Sequence, residues 1–140
     1  MFARAQLIVL AVAGVYLANA NPLKARADPV CARTYTVVAG DTCDKISASE
    51  GVSTYQLATA NAGVINAACD NLWVDQVICL ALEGKDCSPV HVVVAGDSCD
   101  AIADAAGTTS ATLLANNPNV DADCANIYPD EVLCVSPTVV

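Results

Sequence analysis

Hydrophobic positions along the chain fall into short runs with two different periods. Arg33-Thr34-Tyr35-Thr36-Val37-Val38 is β-branched and aromatic, and predicts a strand. Gly40 ends it, because glycine accepts the backbone angles of a sharp turn. Cys43 and Ile46 then stand at i and i+3, the spacing of one helix face. A helix is expected from a cap at Asp41 or Thr42 to about Ser49, with Gly51 placed to stop it. Ser53-Thr54-Tyr55-Gln56 has the form of a capping box and opens a second helix carrying Leu57 and Ala60. Asn61-Ala62-Gly63 reads as a loop, and Val77-Ile78-Cys79-Leu80 as a closing strand.

The whole order then returns. Residues 37–46 and 93–102 agree at eight of ten positions, a repetition too close for chance in a short chain. Cys31 answers to Cys87, Tyr35 to His91, Cys43 to Cys99, Ile46 to Ile102, Gly51 to Gly107 and Asn61 to Asn117, at a constant shift of 56. The second copy then loses one residue, so that Cys69 answers to Cys124, Trp73 to Tyr128 and Cys79 to Cys134. Thr109 takes the place of Ser53, Leu113 and Leu114 supply the apolar face, and Val132-Leu133-Cys134-Val135 closes the unit. The expected fold class is α+β, with two tandem β-α-α-β units at residues 31–82 and 87–136. A short polar linker at 83–86 joins them, and a tail at 137–140 follows.

Composition changes the picture at the start of the chain. A hydrophobic content of 55% and a mean hydropathy of +0.48 suggest a membrane protein. Part of that excess lies in residues 7–17, an apolar run behind Arg4 that ends at Ala18-Asn19-Ala20. This is the pattern of a secretory signal peptide at 1–20, cleaved after Ala20, and the run is shorter than the ~20 residues of a membrane span. A flexible leader is expected at 21–30. Cleavage leaves five basic against fifteen acidic side chains, a net charge of −10. That balance argues against nucleic acid, anionic membrane surfaces and acidic ligands, and points to a neutral partner.

All eight cysteines lie beyond the cleavage point, an even number in a small secreted chain and hence a disulfide framework. There is no Cys-x-x-Cys and His91 is the sole histidine, so no metal and no cofactor is expected. Units of about 50 residues bury too little surface to be secure alone, and cross-links of ~2–4 kcal/mol each offset that. Each unit is expected to staple itself. With Cys43 and Ile46 both facing the sheet, the expected bonds are Cys43–Cys79 and Cys31–Cys69, and in the second unit Cys99–Cys134 and Cys87–Cys124.

Tyr35-Thr36-Val37-Val38-Ala39-Gly40-Asp41-Thr42 followed by Ile46 resembles the opening of a LysM (lysin motif) domain. Asn117-Pro118-Asn119-Val120 with Leu133-Cys134-Val135 resembles its closing half, and the four-cysteine form is similar to the LysM modules of secreted fungal proteins. The resemblance implies binding of chitin and other β-1,4-linked N-acetylglucosamine oligomers in a shallow groove between two loops. Carried over, the first loop is Gly40, Asp41 and Thr42, repeated as Gly96, Asp97 and Ser98. The second is Gly63, Val64, Ile65 and Asn66, repeated as Asn119, Val120 and Asp121, with Pro118 beside them. It also implies a secreted effector that sequesters chitin fragments or shields wall chitin from host receptors or chitinases, with ligand-induced self-association as a further expectation.

The sequence departs from the family pattern at several points. Asn61-Ala62 stands where Asn-Pro is usual, His91 where Tyr35 stands in the first copy, and Asp121 in place of Asn66. Asp75 and Asp130 replace a glycine before the last strand, which aspartate's tolerance of turn conformations allows.

Two other function classes compete with the lectin-like reading. A disulfide-rich scaffold whose units no longer bind sugar would show the same cysteines. An enzyme would need paired carboxylates, for which Asp41 with Asp44 and Asp97 with Asp100 are the candidates. These are better read as helix caps and first-turn acids, so the chain is expected not to be an enzyme. His91 reads as an exposed strand residue without a partner, and Trp73 and Tyr128 as ring-stacking or anchoring aromatics.

Overall fold

The computed structural model describes residues 29–140; the expected signal peptide at 1–20 and all but the last two residues of the expected leader lie outside the described residues. Eight elements follow in order: β1 (Cys31–Thr36), α1 (Cys43–Glu50), α2 (Thr54–Ala60), β2 (Val77–Leu82), β3 (Val90–Val92), α3 (Cys99–Ala105), α4 (Ser110–Asn116) and β4 (Val132–Cys134). Strand β1 pairs antiparallel with β2, and β3 with β4, giving two separate two-stranded sheets. Each sheet carries two short helices, the α+β arrangement the repeat predicts.

Local chemistry sets the helix ends. Thr42 and Ser98 are the N-caps of α1 and α3, accepting from the N–H groups of Lys45 and Ala101. Gly51 takes a left-handed conformation at φ +63° and returns its N–H to the Ser47 carbonyl, closing α1. Ser53 and Gln56 form both arms of a capping box on α2, and Thr109 caps α4. Asp75 and Asp130 sit at φ +68° and +74°, the turn conformation expected of them.

Each unit has its own small core. Val37, Ile46, Val52, Leu57, Ile78 and Leu80 pack in the first; Val93, Ile102, Leu113, Leu133 and Val135 pack in the second. At the centre of each lies a buried asparagine. The Asn61 side chain donates to the carbonyls of Leu57 and Cys79, at 2.7 and 2.5 Å, and accepts from the Cys79 N–H at 2.9 Å. Asn117 does the same with Leu113 and Cys134, each bond 2.8 Å long. These residues read as loop asparagines in the sequence. In the structure they tie the end of the second helix to the closing strand.

The disulfides correct the expected pairing. The bonds are Cys31–Cys79 and Cys43–Cys69 in the first unit, and Cys87–Cys134 and Cys99–Cys124 in the second. The expected Cys43–Cys79, Cys31–Cys69, Cys99–Cys134 and Cys87–Cys124 do not form. Ile46 faces the core at 1% exposure, but Cys43 sits at the first residue of α1 and meets the loop after α2 instead of the sheet. Cys69 and Cys124 reach it through left-handed turns at φ +53° and +59°. Cys31 and Cys79 lie on paired strands, and Cys134 pairs with Val90 just after Cys87. One bond therefore closes each sheet, and the other joins the two loops at one end of the unit.

Contacts also run between the units. Val132 N–H donates to Thr54 Oγ1 at 3.0 Å, and Tyr128 Oη donates to Asp44 Oδ1 at 3.4 Å. Arg33 makes a two-pronged pair with Asp86 of the connecting segment at 2.6 and 2.8 Å, and donates to the Glu50 carbonyl at 2.9 Å. No described helix is long and apolar enough to cross a membrane.

Peptide mapping of the unreduced protein should recover the four observed bonds; tryptic cleavage at Arg33, Lys45 and Lys85 together with cleavage at Trp73 puts each cysteine of the first unit on its own peptide and makes that unit unambiguous. Asn117→Ala removes the side-chain partner of both the Cys134 N–H and the Cys134 carbonyl, while the Leu113 carbonyl keeps the Asn117 backbone N–H. It should cost on the order of 3 kcal/mol in urea unfolding, since an unsatisfied buried polar group costs ~1–3 kcal/mol.

Candidate functional site

The first loop of each unit is a tight turn held by an aspartate. Asp41 N–H donates to the Val38 carbonyl at 3.2 Å, with Gly40 at φ +90° supplying the bend. The Asp41 carboxylate then accepts from Val38 N–H at 2.8 Å and from the Tyr35 hydroxyl at 3.0 Å. In the second unit Asp97 accepts from Val94 N–H at 2.9 Å and pairs with His91 Nε2 at 2.8 Å, with Gly96 at φ +93°. Two expectations are corrected here. Asp41 and Asp97 do not cap helices, because Thr42 and Ser98 do. His91 does have a partner, and it is the one its counterpart Tyr35 has.

Those bonds shift titrations in the expected senses. The His91 bond, with the Val94 N–H behind it, holds the Asp97 carboxyl below the ordinary carboxylate range. The bond to Asp41 raises Tyr35. Catalytic pairing of the aspartates has no geometric support, since Asp41 is spent on its own turn. Asp44 Oδ1 is taken by the hydroxyls of Thr54, at 3.2 Å, and Tyr128.

The second loop is built by an asparagine that sequence reasoning missed. Asn71 accepts from Asn66 N–H at 3.0 Å and donates to the Val64 carbonyl at 2.9 Å. Asn126 repeats both contacts, with Asp121 N–H and the Asn119 carbonyl, at 2.8 Å each. The signal was available, because Asn71 and Asn126 stand at the same shift as Cys69 and Cys124.

Between the loops of the first unit lies a groove of about 570 Å³, within the ~300–1,000 Å³ usual for ligand sites. Of the expected site residues it brings together Thr42, Ile65 and Asn66; Gly40, Asp41, Gly63 and Val64 do not line it. Its floor is the Cys43–Cys69 bond, with Leu57 and Ala58 from α2 and Ala67 and Ala68 from the second loop. Asp44 and Thr54 complete the lining from the first unit, and Tyr128 is contributed by the other unit.

In the second unit Gly96, Asp97 and Ser98 form the equivalent turn, and Asn119 and Asp121 are exposed beside it. Val120, the counterpart of Ile65, is instead 8% exposed and packs in the core. Pro118 stands apart, in a cleft of about 210 Å³ between the units with Tyr55, Lys85 and Val140. Trp73 is 58% exposed. Among the described residues no group of three or more His, Cys, Asp or Glu side chains comes together as a metal site.

Comparison with known proteins gives the family. The LysM domain family model matches residues 35–81 and 91–136. The chain belongs to the LysM domain family. It is 33% identical over 128 residues to the secreted LysM effector LysM1 of Trichophyton rubrum, covering 75% of this chain and 50% of that protein. It is 28% identical over 153 residues to the secreted LysM effector ldpA of Aspergillus fumigatus, covering 88% and 40%. It is 36% identical over 116 residues to the non-secreted LysM effector LCP1 of Gibberella moniliformis, covering 79% and 14%. The chain thus spans half or less of the length of these relatives.

The Asp97 shift predicts a pH effect of definite sign. A carboxyl whose folded-state value is depressed stabilises the fold above its ordinary value, and that contribution is lost as pH falls through the folded value. Asp97→Asn should therefore lower stability at pH 7. The gap from the parent should narrow as pH drops below the ordinary carboxylate range, read by urea unfolding at both ends.

Proposed function

We propose that the chain is a secreted, non-catalytic binding protein for chitin and N-acetylglucosamine oligomers, of the LysM effector type. Its role would be to sequester chitin fragments or cover wall chitin. Two modules, at 31–82 and 87–136, would each offer a site between two loops, which in the first draws Thr42, Ile65 and Asn66 from the expected residues. The observation that carries this reading is the groove held between Thr42 and Ile65–Asn66 by the Cys43–Cys69 bond.

An N-acetylated sugar is uncharged, offers amide and hydroxyl groups to hydrogen-bond, and carries an apolar methyl. The groove presents matching features. Thr42 and Asn66 supply neutral donors and acceptors, while Leu57, Ala58 and Ile65 supply an apolar seat. The chain's acidity is no obstacle to a neutral ligand, and it disfavours anionic ones. The similarity to secreted LysM effectors of Trichophyton rubrum and Aspergillus fumigatus supports the extracellular role. Two sites on one chain would gain from a polymeric ligand through effective concentration.

The purified protein should be retained on insoluble chitin and pass through cellulose and xylan, and should release no reducing sugar from chitin. Failure to be retained on chitin would sink the reading. Ala67→Trp, which fills the first groove from an exposed position, should remove that unit's share of oligomer binding in calorimetry.

A further inference from the structure

Tyr128 and Trp73 occupy the same position in the two repeats but do different things. Trp73 is 58% exposed and lies outside the groove residues; Tyr128, at 44%, lines the groove of the opposite unit. Every other residue lining that groove is aliphatic, polar or a half-cystine, so Tyr128 is its sole aromatic surface.

The ring is held from both sides. Its hydroxyl donates to Asp44 Oδ1 at 3.4 Å, on α1 of the first unit. Asp44 is fixed in turn by Thr54, whose Oγ1 also accepts the Val132 N–H of the second unit at 3.0 Å. Its own backbone N–H donates to Glu131 Oε2 at 3.4 Å, and Glu131 is 2% exposed. Burial, followed by the charges of Asp44 and Glu131, pushes the phenol up to about 12, so it stays a neutral donor. Trp73 shares only the backbone contact, donating to Gln76 Oε1 at 3.2 Å.

A planar ring beside a groove of hydrogen-bonding loops suits a pyranose. The loops can take the amide and hydroxyls at the sugar's edge, and the ring can cover its apolar C–H face. From this geometry we infer that the Tyr128 ring is part of the first unit's oligosaccharide-binding surface, making that site a joint product of both units. This rests on the chitin-binding reading above. The consequence is that ligand in the first groove bridges α1, the second loop and the second unit.

Calorimetry of the oxidised chain with N-acetylglucosamine oligomers tests it through three variants. Tyr128→Ala should weaken binding at least about fivefold, the scale of losing an aromatic anchor. Tyr128→Phe keeps the ring and loses only the hydroxyl contact, so it should stay within about twofold of the parent. It also guards against misfolding as the cause of the alanine result. In an Ala67→Trp background, where the first groove is filled, Tyr128→Ala should have no further effect. Unchanged affinity in Tyr128→Ala, an equal loss in Tyr128→Phe, or a loss that persists beside Ala67→Trp overturns the inference and leaves the general reading standing. No binding by the parent chain overturns both.

Discussion

A buried amide is the contact on which each unit depends. Asn61 and Asn117 sit where the second helix ends, and each answers both the N–H and the carbonyl of a cysteine in the closing strand. Each also takes a carbonyl from the last turn of its own helix. Buried polar groups are tolerable only when satisfied, so this amide fixes the helix end, the strand and their separation at once. The second loop leaves from the same residue, with Val64 and Ile65, or Val120, donating back to its carbonyl. The site is therefore anchored in the core before any ligand arrives.

The disulfides divide the remaining work. Cys31–Cys79 and Cys87–Cys134 close two-stranded sheets that would be marginal alone. Cys43–Cys69 and Cys99–Cys124 link the start of a helix to the second loop, across separations of 26 and 25 residues. On the chain-entropy account each such link contributes roughly 3 kcal/mol by limiting the unfolded chain. It also removes the freedom of the loops relative to each other, which lowers the ordering cost of binding between them.

The architecture was legible in the sequence because several independent signals agreed. Period, caps and the repeat all placed the same elements, and the capping box at Ser53 and the stop at Gly51 were readable residue by residue. Disulfide pairing was not. Spacing at i and i+3 correctly put Ile46 and Cys43 on one side of α1, but it does not say which neighbour lies beside the first turn and which beside the second. The partner of His91 was hidden for a related reason: Asp97 lies six positions on, and only the turn at Gly96 brings them within 2.8 Å. Tyr128 was recognised as an aromatic at a repeated position, but its place against α1 depends on how the two units pack, which no local pattern encodes.

The repeats are most alike where a unit must fold and least alike where they face each other. The Asn clamp, the capping hydroxyls and the disulfides are shared. At the Tyr35/His91 position a different side chain keeps the same carboxylate contact, so the turn survives the substitution. Gln76 and Glu131 differ in the opposite way. Each accepts from the backbone N–H of the aromatic three residues earlier, but Glu131 also meets Asn119 at 2.7 Å, where the first copy has Val64. Burial raises its carboxyl, a cost the first unit does not carry. Glu131 therefore ties Asn119 of the second loop to the Tyr128 backbone, a link Gln76 does not make. Its difference lies at the residue that crosses to the other unit, which is where a duplicated module gains from ceasing to be a copy.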